Sequence, residues 1–166
     1  GIVVSDQSIV SLTYANGLIW GGTSVSGGLG VMPSTKVPKL FSWDVRKGVK
    51  VDEIIPVQGA NAITTLIPGP DGNIWGMAGG TLFVFDPKRK KVINEKVIYP
   101  TPPLTSHVWR DAFLLFHPSG MIYGTGSNQL FKIDPKTMDV EFLVKPASLL
   151  AMDEKGRIYF HRSAEL

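Results

Sequence analysis

The 166-residue chain contains no cysteine, and so it has no disulfides, thiolate metal sites or cysteine nucleophiles. No apolar run approaches the roughly 20 residues that a membrane-spanning helix needs, and the N-terminus lacks the charged and apolar regions of a secretory signal. No membrane partner is expected. The three histidines stand far apart, so the paired spacings of metalloproteases are absent and no metal site is expected. Charged residues make up only 19% of the chain, with a small, dispersed excess of 17 basic over 14 acidic. Nucleic-acid binding calls for clustered cations. The one dense run, Lys88-Arg89-Lys90-Lys91, directly follows Asp86-Pro87 and reads as a solvated hairpin tip, so no nucleic-acid partner is expected. A sustained 3.6-residue apolar period is also missing, which predicts essentially no helix.

What the chain does have is 43% hydrophobic residues, enough for a single folded domain, and 18 glycines and 12 prolines set at regular intervals. That spacing points to many short strands joined by turns. The turns recur with a signature: Asn16-Gly17-Leu18-Ile19-Trp20-Gly21, Asp71-Gly72-Asn73-Ile74-Trp75-Gly76, Ser119-Gly120-Met121-Ile122-Tyr123-Gly124 and Lys155-Gly156-Arg157-Ile158-Tyr159-Phe160. In each, a polar residue and a glycine suit a tight turn with positive φ, and the isoleucine and aromatic that follow favour a strand.

A second signature follows three of these copies: Leu40-Phe41-Ser42-Trp43-Asp44, Leu82-Phe83-Val84-Phe85-Asp86 and Leu130-Phe131-Lys132-Ile133-Asp134. Gly72 to Asp86 and Gly120 to Asp134 span the same interval, whereas Gly17 to Asp44 is longer, so the first unit carries an insertion between Trp20 and Leu40. Four strands are predicted per unit. In the first they are 9–14, 18–23, 39–44 and 49–57; in the second 63–68, 73–77, 81–86 and 92–98; in the third 112–117, 121–125, 129–134 and 140–144. Two further strands, 148–152 and 157–161, begin a fourth unit.

Repeats of about 40 to 50 residues, each a four-stranded meander, are the pattern of β-propeller blades, in which stacked neighbours bury faces that one sheet alone leaves open. The expected fold is therefore all-β, a propeller segment of four-stranded antiparallel blades. About three and a half blades lie within residues 1–166: units 8–57, 62–100 and 111–146, and a half blade 147–166. The Asp-Gly-x-Ile-Trp motif with the later Asp-Pro-Lys resembles repeats of bacterial propellers such as the virginiamycin B lyase-like, NHL-like and SMP-30-like families. The resemblance covers nearly the whole chain.

A ring usually needs at least four blades, so the expected partner is the rest of a longer propeller. The alternative is a second copy closing a seven-bladed ring, with Ile2 to Val4 of each chain acting as the outermost strand of the other's half blade.

Function in propellers usually sits on loops held by the rigid scaffold. Three stretches are expected on one face: the insertion from Ser24 to Gly30, the loop Gln58-Gly59-Ala60-Asn61, and the connection from Thr101 to Arg110. Candidate ligand contacts are Ser24, Ser26, Gly27, Gly28, Gln58, Asn61 and Trp109. The glycines would let backbone amides approach an anion or sugar, although the segment lacks the Lys-Ser/Thr of a nucleotide-binding P-loop. Candidate catalytic residues are His107 and Arg110, with His107 as general base and Arg110 neutralising a substrate carboxylate. Trp109 packed between blades and Arg110 paired with Asp111 is the purely structural alternative.

His117, at the end of a first strand on the opposite face, reads as a turn neighbour. Trp20, Trp75, Tyr123 and Tyr159 are expected in the core between blades, and Asp44, Asp86 and Asp134 as turn carboxylates. The leading expectation is a non-catalytic recognition module, a bacterial surface or secreted domain that presents loops to a carbohydrate or protein partner. The alternative is a propeller-type lyase or hydrolase acting on a polysaccharide or lactone-like substrate. No cofactor is named by the residues.

Overall fold

A computed structural model describes residues 3–26, 34–101 and 112–162. The described residues form fourteen strands and no helix. The chain divides into two compact units, residues 1–110 and 111–166.

The first unit holds two four-stranded antiparallel meanders. One is β1 (Ser8–Ala15), β2 (Leu18–Ser24), β3 (Leu40–Asp44) and β4 (Val49–Ile54); the other is β5 (Ile63–Pro68), β6 (Ile74–Ala78), β7 (Thr81–Asp86) and β8 (Lys91–Val97). The second unit holds β9 (Ala112–Phe116), β10 (Ile122–Gly126), β11 (Gln129–Ile133) and β12 (Val140–Val144), followed by the pair β13 (Ser148–Met152) and β14 (Ile158–His161). Each meander has the strand order of a propeller blade.

Local chemistry sets the turns. Gly17, Gly72, Gly120 and Gly156 adopt φ between +77° and +85°, a region that residues with a Cβ rarely enter. At the other hairpin, Asp44 Oδ1 accepts N–H bonds from Arg46 and Lys47 at 2.9 and 3.1 Å, Asp86 Oδ1 does the same for Lys88 and Arg89 at 2.8 and 3.1 Å, and Asp134 Oδ1 accepts from Lys136 at 2.8 Å. These recurring carboxylates are turn residues. The basic run after Asp86 is an exposed hairpin tip, with Lys90 Nζ 2.6 Å from Asp52 Oδ1.

The glycine that closes each of the first three signatures has a packing reason. Gly21 pairs with Phe41, Gly76 with Phe83 and Gly124 with Phe131 across the second and third strands. A Cβ on Gly76 would sit 2.6 Å from Phe83 Cζ and 2.8 Å from Leu66 Cδ2; Gly21 and Gly124 are overlaid just as closely by Phe41 and Phe131. The ring lies directly on bare backbone. In the first unit, Phe83 and Phe85 join Trp20 and Leu40 of the neighbouring sheet in one buried cluster, with Trp20 and Phe85 ring centroids 5.4 Å apart.

Two expectations need correction. Val3 and Val4 are in a bend rather than a strand: residues 3–7 run as turn and bend against the first sheet, where Lys50 Nζ donates to Val3 O at 2.9 Å and Val4 is buried. The segment gains those contacts within its own unit. Tyr159 is 50% exposed rather than core, because no described strand lies beyond β14 and its hydroxyl turns back to Asp153 Oδ2 at 3.2 Å. Trp20 and Trp75 are buried as expected, and Tyr123 is half-buried.

Gly76→Ala is expected to destabilise the protein by about 2 kcal/mol through overpacking, read as a lower urea midpoint at unchanged slope. Adding Phe83→Leu, which shortens the ring's reach, should recover part of that loss.

Candidate functional site

The ends of the two sheets in the first unit are stitched together by backbone bonds at the loops singled out above. Ser24 bridges Ala62, and Val25 N–H donates to Asn61 O at 2.9 Å. Gly79 N–H donates to Ala62 O at 2.9 Å, and Gly80 O accepts from Ile98 and Tyr99 N–H at 2.9 and 3.2 Å. Gly80 lies so close to Tyr99 O that any side chain there would collide with it, and a Cβ on Gly79 would meet Thr101 at 2.8 Å. A continuous line of contacts therefore runs from Val25 through Asn61 and Gly79 to Thr101.

The structure thus brings Ser24, Ser26 and Asn61 together, with Gln58 exposed in the same turn as Gly59. Ser24 is buried and its Oγ accepts the Ser26 N–H at 3.0 Å. Gly27, Gly28, His107, Trp109 and Arg110 lie outside the described residues. Thr64, 6% exposed, sits two residues beyond Ala62 in a bulge of β5, between Ile63 and Thr65. Bulges recur beside functional sites because they re-aim side chains. The side chains contributed by Ser24, Ser26, Gln58, Asn61, Thr64 and Thr101 are neutral hydroxyls and amides. Such a set can donate and accept hydrogen bonds, but it holds no group suited to proton transfer at neutral pH.

A second network at this end was not visible in the sequence. Gln7 Nε2 donates to Thr35 Oγ1 at 2.6 Å and to Val37 O at 3.0 Å, its Oε1 accepts from Thr23 Oγ1, and Thr23 Oγ1 accepts the Lys39 N–H at 2.7 Å. Asp6 accepts from the Ser34 side chain and from the Ser34 N–H, and these contacts, the side-chain one first, hold its carboxyl below the usual range. Together they clip the segment before β1 onto the stretch leading into β3. Neither Asp6 nor Gln7 belongs to a repeat, so no periodicity marks them.

At the opposite end of the sheets, one kind of latch occurs in both units. Asn16 Nδ2 donates to Gly72 O at 2.9 Å, and His117 Nε2 donates to Gly156 O at 2.7 Å. In each case a residue beside one turn reaches the glycine carbonyl of the next. His117 Nδ1 accepts the Ser119 N–H at 3.0 Å, which fixes the tautomer with the proton on Nε2. His161 Nδ1 lies 3.2 Å from Ser148 Oγ. Among the described residues, no group of three His, Asp or Glu side chains converges on one point.

No protein-family model and no curated protein matches the chain. Solved structures do. A catalytically inactive virginiamycin B lyase from Staphylococcus aureus, solved with quinupristin, is similar over 96% of this chain and 50% of its own, at 15% identity and TM-score 0.67. The extracellular domain of BT4673 from B. thetaiotaomicron is similar over 92% of this chain and 20% of its own, at 18% identity and TM-score 0.62. The WD40 repeats of RRP9 are similar over 89% and 42%, at 12% identity and TM-score 0.62. The fold is therefore that of a partial β-propeller. These likenesses extend across different propellers rather than to one repeat family, and the chain spans from 20% to 50% of the length of these structures.

Two predictions follow from the polar contacts. Asn16→Ala and His117→Ala should each cost about 1 kcal/mol, the usual net value of one hydrogen bond. The two losses should add in the double variant, because the sites share no partner, as measured by urea denaturation. The Asp153 carboxyl is held below its ordinary range, chiefly by the Arg157 N–H at 2.8 Å. A depressed carboxylate stabilises the fold above its unfolded pKa of about 4 and loses that contribution as pH falls through the folded value. Asp153→Asn should therefore be less stable than the parent near neutrality, with the difference shrinking in melts taken progressively below pH 4.

Proposed function

We propose that the protein is a non-catalytic β-propeller recognition module that engages a carbohydrate or protein partner through the loop face built from Ser24–Ser26, Gln58–Asn61 and the segment around Thr101. The observation that carries this reading is chemical. Loops distant in sequence are locked side by side by backbone bonds, and the exposed side chains they bring, Gln58 and Thr101, are neutral donors and acceptors. Such groups suit sugar hydroxyls or peptide amides, held by a scaffold that needs no rearrangement to bind. Solved propellers similar in fold include an extracellular domain and a WD40 repeat domain. The competing reading is a lyase or hydrolase built around His107 and Arg110. It draws on the fold shared with virginiamycin B lyase, and the two readings predict opposite mutational outcomes.

The test is binding of an oligosaccharide array, and of unstructured and folded protein ligands, followed by calorimetry on any hit. The combined Gln58→Ala and Thr101→Ala variant, at two exposed positions, should weaken the hit by about tenfold, equivalent to about 1.4 kcal/mol, with an unchanged melting temperature. His107→Ala should leave affinity intact. Loss of capture or of turnover in His107→Ala, with the loop variant unaffected, would favour the enzyme and remove the loop face as the binding surface.

A further inference from the structure

The chain's excess of positive charge lies in two hairpins of the first unit. Residues 45–50 hold Arg46, Lys47 and Lys50, residues 87–91 hold Lys88, Arg89, Lys90 and Lys91, and neither stretch contains a carboxylate. Without them the 14 acidic residues would outnumber the basic ones. The stretches are distant in sequence, yet Lys90 Nζ reaches Asp52 Oδ1 of β4 at 2.6 Å, which sets the β3–β4 and β7–β8 hairpins side by side. Their own aspartates do little to neutralise the tips. Asp44 Oδ1 and Asp86 Oδ1 are taken by backbone N–H groups, and Lys47 Nζ and Arg89 Nε stay 3.8 and 3.6 Å from the other oxygens. Ion pairs this long and exposed contribute little. Arg46, Lys47, Lys88, Arg89 and Lys91 are all exposed.

The two outer strands share a second feature beside these cations. In β4 a bulge leaves Val51 unpaired between Lys50, opposite Trp43, and Asp52, opposite Ser42; in β8 a bulge leaves Ile93 unpaired between Val92, opposite Phe85, and Asn94, opposite Val84. Ser42-Trp43 and Val84-Phe85 hold the same place in their signatures, so the bulges fall at one level in both sheets. Val51 is 46% exposed and Ile93 42%, and Val45 and Val49 of the first hairpin are exposed with them. A bulge by itself blunts an outer edge, and a polar residue would serve that purpose. Aliphatic side chains held in water beside a cluster of cations fit a partner that covers both. A polysaccharide or a nucleic acid offers anions without aliphatic side chains. We propose that the paired hairpins form a docking surface for an acidic polypeptide segment with apolar side chains among its carboxylates. The carboxylates meet the tip cations, and the apolar side chains cover Val51 and Ile93. Both sheets are complete four-stranded meanders, so the surface requires no further strand. It lies at the other end of the sheets from the loop face proposed above: β2 reaches that face at Ser24, whereas the β3–β4 turn is level with the start of β2, where Ile19 pairs with Trp43.

The test titrates the whole 166-residue protein into a fluorescent peptide of four Glu-Glu-Leu repeats, alongside peptides of Gln-Gln-Leu and of Glu-Glu-Ser repeats, and locates the contact by amide-exchange protection. The Glu-Glu-Leu peptide should protect residues 45–51 and 87–93 and bind about tenfold more tightly than either of the others. Its binding should weaken as salt rises from about 0.05 to about 0.5 M, because screening shortens the reach of exposed charges. Lys88→Glu combined with Arg89→Glu should weaken it by about tenfold. Val51→Thr combined with Ile93→Thr keeps β-branched residues in the strands and should remove the preference for Glu-Glu-Leu over Glu-Glu-Ser. Equal binding of the three peptides, no protection at millimolar concentration, protection confined to other residues, or a charge-reversed variant that binds as the parent does would overturn the proposal. Tighter binding of dextran sulfate, duplex DNA or vesicles of anionic lipid than of the Glu-Glu-Leu peptide would also overturn it, by assigning the cations to a different class of partner.

Discussion

Three phenylalanine rings resting on three glycines determine how these sheets are built. A second strand that carried any Cβ at Gly21, Gly76 or Gly124 would push the facing ring off its own backbone. In the first unit that ring is part of the layer joining the two sheets, where Phe83 and Phe85 meet Trp20 and Leu40. Close approach at one small position therefore propagates into the packing of large ones. The polar latches come second: Asn16 to Gly72, His117 to Gly156, Val25 to Asn61 and Ala147 to Asn128 tie neighbouring sheets at their ends. The apolar layer supplies most of the stabilisation through area removed from water, and the latches fix the register at which one sheet meets the next.

Features carried by neighbouring residues could be read in advance. A glycine after a polar residue and before an isoleucine and an aromatic implies a positive-φ turn and a strand, and that is where Gly17, Gly72, Gly120 and Gly156 sit. An aspartate at the end of a strand implies a side chain folding back on the next amides, as Asp44, Asp86 and Asp134 do. Contacts between distant segments left no such trace. Nothing around His117 marks a reach to Gly156, and nothing in residues 3–7 marks a clip through Asp6 and Gln7. The strand predicted to run to Val57 ends at Ile54, because Pro56 lacks an N–H for the ladder and Val57 turns into the core. Of the candidate ligand contacts, Ser24, Ser26 and Asn61 converge because the insertion and the β4–β5 connection leave their sheets at the same end. That follows from the meander once its register is known, but not from any one segment.

The repeated residues also show where function is to be sought. Each one now has a structural duty: the glycines turn the chain or receive a ring, the aspartates cap hairpins, and the two tryptophans fill the core. Trp75 Nε1 reaches Asp71 Oδ1 at 3.5 Å and Tyr159 reaches Asp153, so even the polar atoms of the repeated aromatics serve the turns. Residues with the same duty in every unit cannot distinguish one propeller from another, which accords with a fold shared by proteins only 12% to 18% identical to this chain.

On the recognition role proposed above, specificity comes from positions that break the repeat. Val25 and the turn at Gln58–Asn61 are pinned to each other by a backbone bond, so the binding face proposed above would meet its ordering cost during folding.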